Sequence, residues 1–367
     1  MGLAEFFYQD SKYPHPDLLR LSCNKLALKI TAPPYQRTTE GFFTLLEKPL
    51  YEWCPFNIPQ EFDKEFGLIY DGALSEEASE YFYEHLLNEE QIFNLSTKNK
   101  QIALENFQFR KLLNSLQNAY EENAEVAQEE YVLLRRFLID NPYATDEQIR
   151  EAFSKTRYIR SSEVGELYED CQQDKTYWCC DNCGPLIEKD GGLRGIKPSV
   201  CNDHRKNLNQ VYKISWERGL RQIKRGIHWR VCLPGIPEIK LFENLKKLQQ
   251  DNSKYLLAVN LWPGIDRYDL QLRFSDDSVW AVDVKDYRSP YALARSLTTI
   301  YGEGSLRYDK SFYVIPQHRL RQRKDYIDIL REEAKLSKSI QIKSEIAFEE
   351  LVIEKISSLS KTKKQNK

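Results

Sequence analysis

The 367-residue sequence has no long apolar run: nothing approaches the ~20 consecutive apolar residues of a membrane-spanning helix. The first residues, MGLAEFFYQD, lack the basic region and apolar core of a secretory signal. Phe6 stands where a myristoylation motif needs Ser or Thr. The sequence therefore predicts a cytoplasmic protein without a membrane partner.

Motifs for nucleotide hydrolysis and for nucleophilic catalysis are missing as well. There is no Gly-x4-Gly-Lys-Ser/Thr phosphate loop, and GEGSLRYDK at 302–310 lacks the required glycine spacing. No Ser-x-Gly elbow and no Cys/His nucleophile pair stands out. Any use of ATP would have to come from a partner protein.

Charge is distributed unevenly along the chain, although the net charge is only −2. Residues 61–130 carry 16 acidic and 5 basic side chains, whereas residues 205–367 carry 32 basic and 20 acidic ones. This asymmetry indicates that the C-terminal half approaches a polyanion. Solvated helix faces and the basic tail KTKKQNK account for part of it.

The N-terminal half is expected to be irregular at first and then helical. Residues 1–75 form an aromatic-rich segment without an assigned role, and residues 76–170 read as a helical region. A helix ending near Asp140, a break at Asn141-Pro142 and a helix capped by Thr145 resemble a helix-turn-helix or winged-helix unit. Such a unit either contacts DNA or is a plain helical packing unit.

Two cysteine-containing knuckles predict a structural zinc ribbon over residues 171–206. The ligands would be Cys180, Cys183, Cys201 and His204, with the turn-forming sequence EKDGGLRG between the knuckles as a short β-hairpin. A disulfide is disfavoured in the cytoplasm, and unpaired thiols are the other alternative. Cys179 could replace Cys180 in the ligand set.

A basic segment with interleaved aromatic residues, KISWERGLRQIKRGIHWR, follows the knuckles. Its composition suits contact with phosphates and bases, although an amphipathic helix with a solvated face explains it equally well. The candidate nucleic-acid-binding residues are Arg221, Lys224, Arg225 and Arg288. Weaker candidates for phosphate contact are His318, Arg319, Arg321 and Arg323.

The C-terminal part has a readable order of elements. A helix opens at Pro237, and strands follow at KYLLAVNL, 268–274 and 279–285. A helix capped by Ser289 with Pro290 as its first residue, a strand SFYVIP, a helix, a strand SIQIK and a last helix come next. This predicts one domain over 207–352, followed by the helix end and basic tail at 353–367.

The two strands at 268–285 form a hairpin with charged side chains on one face. Asp269, Asp283 and Lys285 occupy odd positions, while the apolar residues occupy even ones. Because cross-strand partners point the same way, the two sets stay together only if the numbers of paired residues have an even sum, and a pairing of Asp269 with Asp283 satisfies this. This predicts a three- or five-residue loop centred on Asp276, or a bulge. The charged face is either a metal site or a solvated surface, and Asp266 is a less favoured substitute for Asp269.

A helix, a three-stranded meander carrying Asp269 and then Asp283-Val284-Lys285, a helix and a further strand resemble the PD-(D/E)XK nuclease superfamily. The resemblance implies a restriction-endonuclease-like core of order αβββαβ, in which Glu238 matches the additional carboxylate of the first helix. Tyr268 departs from the family pattern, which has Pro before the first Asp. The fold expected for the whole chain is multi-domain α+β, with the helical region and the zinc ribbon preceding this core.

Several short motifs narrow the resemblance further. They are Cys-x2-Cys-Gly-Pro-Leu, Pro-Gly-x-Pro-Glu, Leu-Trp-Pro, Tyr-Asp-Leu and Val-Asp-Val-Lys-Asp. Their order is similar to that of the restriction-endonuclease-like proteins that accompany pPIWI-RE proteins in bacterial defence islands. The resemblance implies a Piwi-like partner and a helicase.

Phosphodiester hydrolysis by such a site needs Mg²⁺ or Mn²⁺, and carboxylates are suitable ligands. We expect Asp269 and Asp283 to hold the cation, and neither carboxylate needs a shifted pKa for this role, because both act ionised. Glu238 would be an outer or second-metal ligand, and Lys285 would orient a water and offset transition-state charge. The expected function is a metal-dependent DNA endonuclease. The alternatives are a catalytically silent DNA-binding adaptor and a zinc-stabilised scaffold.

Overall fold

The computed structural model of the chain describes residues 24–30, 39–58, 66–70, 73–75, 78, 97–180, 182–189, 192–195, 211–334, 336 and 340–365. Within these residues the protein is a mixed α/β structure that contains a mixed five-stranded sheet. Cys201, His204 and all of the predicted helix at 76–87 except Ala78 lie outside the described residues. The predicted domain boundaries remain predictions.

The described strands before residue 225 form three small antiparallel sheets, which have two, three and four strands. The helices and strands of this part are α1 (Thr39–Leu46), α2 (Leu50–Trp53), β1 (Ile69–Tyr70), β2 (Ala73–Leu74), α3 (Thr97–Glu122), α4 (Ala124–Asp140), β3 (Tyr143–Thr145), α5 (Asp146–Ala152), α6 (Ser161–Gly165), β4 (Tyr168–Asp170), β5 (Tyr177–Cys180), β6 (Gly184–Lys189), β7 (Gly192–Gly195), β8 (Val211–Ile214) and β9 (Leu220–Ile223).

The elements after residue 225 build the five-stranded sheet and its covering helices. They are α7 (Leu233–Asp251), β10 (Leu256–Leu261), β11 (Leu270–Phe274), β12 (Val279–Val284), α8 (Pro290–Ser296), β13 (Lys310–Ile315), α9 (Gln317–Gln322), α10 (Tyr326–Glu333), β14 (Ile340–Ser344) and α11 (Glu345–Gln365).

The chain around residue 140 follows the sequence signals closely. Helix α4 ends at Asp140, and α5 begins after Thr145, whose hydroxyl accepts from the Gln148 N–H while the Gln148 side chain accepts from the Thr145 N–H. This reciprocal pair is a capping box, which satisfies two backbone donors at a helix start. Strands β3, β9 and β4 then form a three-stranded sheet beside α5 and α6. The predicted break and cap are confirmed, and DNA contact by this unit stays a prediction.

Cys180 and Cys183, which belong to the first knuckle of the predicted zinc site, lie in and next to a four-stranded sheet of order β7-β6-β5-β8. Strands β6 and β7 pair antiparallel up to Lys189 opposite Gly192, so the predicted hairpin between the knuckles is confirmed. The basic segment is not an amphipathic helix over most of its length. It forms β8 and β9, and a helix begins only at Arg225. The segment is extended because β8 pairs with β5, and β9 pairs with both β3 and β4.

The five-stranded sheet has the order β10-β11-β12-β13-β14. The pairs β10-β11 and β11-β12 are antiparallel, whereas β12-β13 and β13-β14 are parallel pairs. The predicted helix α8 does begin at Pro290, with the Ser289 carbonyl accepting from the Leu293 N–H. Helices therefore precede β10 and lie between β12 and β13.

The β11-β12 hairpin has the predicted odd-length loop. Leu270 pairs with Val282 and Arg273 with Val279, and the Phe274 N–H donates to the Ser278 carbonyl at 2.9 Å. The loop is thus three residues long and centred on Asp276. Asp277 has φ 64°, as expected for a left-handed residue that closes such a loop.

Both faces of this sheet are covered, which differs from the half-solvated hairpin that the alternation suggests. The even residues of the hairpin pack in the main core with helix residues such as Phe348 and Val352. On the odd face, Ala281 packs in a second cluster with Tyr313 and with residues of α8 and α10. The connections between the parallel strands β12, β13 and β14 contain helices, and such helices cover the faces of a sheet. The charged side chains therefore do not lie on an open surface.

The helix that carries Glu238 begins earlier than predicted. The chain is helical from Arg225, passes through one π-helical turn at His228–Cys232 and continues as α7, so Pro237 lies inside the helix. Proline is preferred in a first turn because its missing N–H is not needed there. Here tertiary packing extends the helix before the proline. Among the described residues, no helix combines the length and hydrophobicity that a membrane span needs.

Candidate active site

Asp269 is held at the end of β11 by the backbone of the neighbouring strand. Its N–H donates to the Val282 carbonyl at 3.0 Å, and its Oδ2 accepts from the Val284 N–H at 2.5 Å. The residue is 7% exposed. The hairpin therefore fixes both the main chain and the side chain of Asp269 beside Asp283.

Asp283 and Lys285 lie on β12 and immediately after it, with side chains on the same side. The Lys285 ammonium is 2.7 Å from Oδ1 of Asp283, and the Lys285 N–H donates to the Val314 carbonyl at 2.9 Å. The ammonium also lies 6.0 Å from the ring centre of Tyr313. The structure thus brings Asp269, Asp283 and Lys285 together, as the parity of the two strands predicts.

Burial raises the pKa of Asp269 well above its usual value, and the negative charges of Glu238 and Asp283 raise it further. Desolvation penalises the charged form of Asp269, so this carboxyl has a shifted pKa although its expected role as a ligand does not need one. For Lys285, burial acts to lower the pKa, but the attraction of Asp283 and Asp269 outweighs it and raises the pKa. Lys285 is consequently a cation at neutral pH.

Glu238 lies in α7 with its carboxylate turned towards the other site residues but already bound by two partners. Oε2 accepts from the indole N–H of Trp262 at 2.5 Å and lies 2.9 Å from Nη2 of Arg135. Burial raises the pKa of Glu238 to about 7, although the positive charge of Arg135 opposes this shift. The structure places Glu238 near Asp269, in an ion pair that the sequence did not suggest.

Asp266 does not replace Asp269. Its backbone has φ 68°, in the left-handed region, and its Oδ1 is 2.5 Å from Nη1 of Arg135. Asp286, the residue after Lys285, pairs with the fully buried Arg319 at 2.5 Å. The suggestion that Arg319 meets DNA is wrong, because its side chain is 0% exposed.

Arg135 is the site residue that sequence reasoning missed. It lies in α4, a helix read only as part of a packing or DNA-binding unit, and its side chain is 6% exposed. Its position within the apolar stripe of Tyr131, Leu134 and Leu138 was an available signal. An arginine on the buried face of a helix needs an anionic partner.

The charges of the site leave a negative excess that suits a divalent cation. Four carboxylates (Glu238, Asp266, Asp269 and Asp283) lie with two cationic groups, Arg135 and Lys285. When all are ionised, the net charge is −2, which one Mg²⁺ or Mn²⁺ would cancel. Within the described ranges, no group of three or more His, Cys, Asp or Glu side chains has a geometry that could hold a metal ion. A cation at this site would therefore have at most two of these carboxylates as ligands, with the remaining positions left to water and substrate oxygens.

The predicted nucleic-acid-binding residues have protein partners. Arg221 lies 2.9 Å from Asp170 and 3.1 Å from Asp146, and it donates to the Gly165 carbonyl. The Lys224 ammonium donates to the Gln108 side chain at 3.0 Å. Arg225 and Arg288 are half-buried. Contact between these residues and DNA stays a prediction, and for Arg221 it would compete with two ion pairs.

The first knuckle of the predicted zinc site is formed within the described residues. Cys180 and Cys183 are buried in one small cluster with Leu186 and Leu233. The Asn182 N–H is 3.5 Å from the Cys180 sulfur, and Gly184 follows with φ 72°. Both thiol groups and the N–H direction suit a thiolate-bound metal. Cys179 is buried outside this cluster, which favours Cys180 as the ligand.

Comparison with known proteins identifies a family for the part of the chain that carries this site. Neither the curated proteins nor the solved structures gave a match. Residues 235–359, which are 125 of the 367 residues, match the family described as REase associating with pPIWI_RE. The segment contains Glu238, Asp269, Asp283 and Lys285 but not Arg135. The predicted resemblance to the restriction-endonuclease-like proteins associated with pPIWI-RE is therefore confirmed for this segment.

Proposed function

We propose that the protein is a metal-dependent endonuclease that hydrolyses DNA phosphodiester bonds in a cytoplasmic bacterial defence system, together with a pPIWI-RE protein and a helicase. The observation that carries the proposal is the grouping of the buried Asp269 with the half-buried Asp283 and Lys285 on the β11-β12 hairpin. It lies within the segment that matches the family.

The order of elements around the site supports the proposal. Helix α7 precedes three antiparallel strands, and α8 leads to β13, which is parallel to β12. This is the αβββαβ order that the nuclease resemblance implies. We propose that these elements form the nuclease core and that β11 and β12 present its catalytic residues.

The carboxylates of Asp269 and Asp283 would hold Mg²⁺ or Mn²⁺. Such a cation polarises a scissile phosphate and makes a water more acidic. Burial raises the pKa of Asp269, so the binding of the cation would be coupled to the ionisation of this carboxyl group. The ion pair with Asp283 holds the Lys285 ammonium beside the proposed cation position. There the ammonium would orient a water and offset the charge on the phosphoryl oxygens.

The remaining parts of the chain would supply stability and substrate contact. Zn²⁺ held by Cys180, Cys183, Cys201 and His204 would have a structural role, since four protein ligands leave no open position. DNA would approach the basic C-terminal half, where Arg225 and Arg288 are candidate phosphate contacts. These roles rest on charge and on ligand chemistry.

The proposal is tested by cleavage of plasmid and single-stranded DNA with and without Mg²⁺ or Mn²⁺. We expect cation-dependent cleavage that falls by at least about 100-fold in Asp283→Asn and in Lys285→Met, since each removes a charge that acts on the transition state. Asp277→Asn is the matched control. It changes an exposed carboxylate of the same hairpin, and Asn tolerates the left-handed backbone there.

Cleavage that is unchanged in both site variants would place the activity elsewhere or in a contaminant. Absence of cleavage together with absence of Mn²⁺ binding, while DNA still binds, would support a non-catalytic adaptor. Mn²⁺ binding without cleavage in the isolated protein would direct the same assay to the complex with the pPIWI-RE protein.

A further inference from the structure

Arg135 is surrounded by the anionic and aromatic groups of the candidate site. Nη1 lies 2.5 Å from Asp266, and Nη2 lies 2.9 Å and 3.2 Å from the two oxygens of Glu238. The guanidinium carbon is 4.4 Å from the ring centre of Trp262. A buried arginine with two carboxylates and an indole face forms a fixed cationic centre beside the proposed metal ligands.

These contacts use most of the acceptor capacity of Glu238. A carboxylate offers about four lone-pair sites. Oε2 accepts from the Trp262 indole N–H and from Arg135, and Oε1 accepts from Arg135. A metal ion bound to Glu238 would either displace the guanidinium or lie directly beside a second cation, and both are unfavourable in a buried site.

The helix that carries Arg135 is anchored to the same loop by other side chains. Gln128 donates to the Trp262 carbonyl at 2.9 Å and accepts from the Ile265 N–H at 3.1 Å, and the Tyr131 ring packs edge-on against Trp262. Gln128, Tyr131 and Arg135 recur at spacings of three and four residues, so one face of α4 holds the loop. The guanidinium is therefore fixed in place relative to Glu238 and Asp266.

We propose that the Arg135 guanidinium takes the place of a second divalent cation beside Glu238. The site would then hold one divalent cation, on Asp269 and Asp283, and Glu238 would lie outside its ligand set. Arg135 is a positioning residue in this arrangement, because it holds Glu238, Asp266 and the loop between them. The inference rests on the proposed nuclease function. It adds that the active site binds a single divalent cation and that one of its residues, Arg135, comes from α4, outside the segment that matches the family.

The test is a Mn²⁺ titration of the full-length protein followed by electron paramagnetic resonance, which counts bound ions and detects coupling between neighbouring ones. Wild type is expected to bind one uncoupled Mn²⁺ at this site, and Asp283→Asn to bind none. Glu238→Gln keeps the shape and can still accept from Trp262 and Arg135. It is expected to retain one Mn²⁺ with a dissociation constant within about tenfold of wild type, since no ligand is removed.

Arg135→Gln, if folded by circular dichroism, is expected to bind a second Mn²⁺ at the freed Glu238 and Asp266. Arg136→Gln is the matched control, because Arg136 is the next residue of α4 and its ion pairs with Glu243 and Asp140 are partly exposed. It should bind one Mn²⁺. If Arg135→Gln does not fold, Mn²⁺ binding by Glu238→Gln alone tests whether Glu238 lies outside the ligand set of the cation.

Two coupled Mn²⁺ ions in wild type, loss of Mn²⁺ binding in Glu238→Gln, or a single Mn²⁺ in folded Arg135→Gln would overturn the role of Arg135 and leave the nuclease proposal standing. No Mn²⁺ binding in wild type, together with no cleavage, would instead remove the nuclease proposal itself. The two failures are thus distinguishable.

Discussion

Oδ2 of Asp269 lies 2.5 Å from the backbone nitrogen of Val284, the residue between Asp283 and Lys285. At this end of the β11-β12 ladder, the Val284 N–H therefore donates to a side-chain oxygen of Asp269 instead of to a backbone carbonyl of β11. This contact fixes the distance between the two strands where the site lies. It leaves Oδ1 of Asp269 as the oxygen that we propose for the cation.

Gln128→Ala should destabilise the protein although Gln128 is far from the hairpin in sequence. The change removes bonds to the carbonyls of Leu261 and Trp262 and to the Ile265 N–H. Urea denaturation should show a loss of about 1–3 kcal/mol, because several partly buried backbone groups lose their partner. Gln249→Ala is the control. It removes an exposed bond to the Leu257 carbonyl and a bond from the Lys246 ammonium, with an expected loss below about 1 kcal/mol. Equal losses would contradict the anchoring role of α4.

The pH dependence of stability should report the buried carboxylate of Glu238. Its pKa is raised from an ordinary 4.5 to about 7 by burial, so the folded state binds the proton more tightly than the unfolded state. This contribution is present at low pH and is lost as the pH rises from 4.5 to 7. Relative to Glu238→Gln, metal-free wild type should lose about 3 kcal/mol of unfolding free energy across that window. A constant difference between the two proteins, measured by urea denaturation, would contradict the raised pKa.

Gly184→Ala should be strongly destabilising. Gly184 has φ 72°, and an added Cβ would lie 2.3 Å from Cε1 of the buried His228. Gly304→Ala is the control for backbone strain alone, since Gly304 has φ 55° and no atom within 4 Å of an added Cβ. Thermal unfolding should show a loss of about 2–4 kcal/mol for Gly184→Ala and about 1–2 kcal/mol for Gly304→Ala.

A second substitution separates the two causes at Gly184. Replacing His228 by Ala in the Gly184→Ala background removes the clash but not the strain. In the His228→Ala background, the loss of unfolding free energy caused by Gly184→Ala should then fall to the loss caused by Gly304→Ala. An unchanged cost would show that His228 does not restrict this position.

Zinc content distinguishes the adjacent cysteines of the first knuckle. Elemental analysis of the full-length protein should find one Zn²⁺ per chain, and about none in Cys180→Ser or Cys183→Ser, since a tetrahedral site needs all four ligands. Cys179→Ser is the control and should retain zinc, because adjacent strand residues point to opposite faces. If Cys180→Ser retains zinc and Cys179→Ser loses it, Cys179 rather than Cys180 is the zinc ligand.

Local sequence signals predicted a large part of the fold. The Thr145 cap, the start of α8 at Pro290 and the β6-β7 hairpin depend on residues within a few positions of one another. The odd-length loop around Asp276 followed from the parity of the alternation. By contrast, a helix start at Pro237 was wrong, because the extension of that helix back to Arg225 depends on packing rather than on the proline rule.

The sequence by itself determined the hairpin and the placement of Asp269, Asp283 and Lys285 on one side of it, since side chains in a strand alternate with a period of two residues. Only the tertiary structure decided that this face is covered by Tyr313 and the helices around it. It also decided that Glu238 meets Arg135, 103 residues away, instead of water. Alternation and capping act within a few residues, whereas the pairing of buried charges depends on which distant segments desolvate each other.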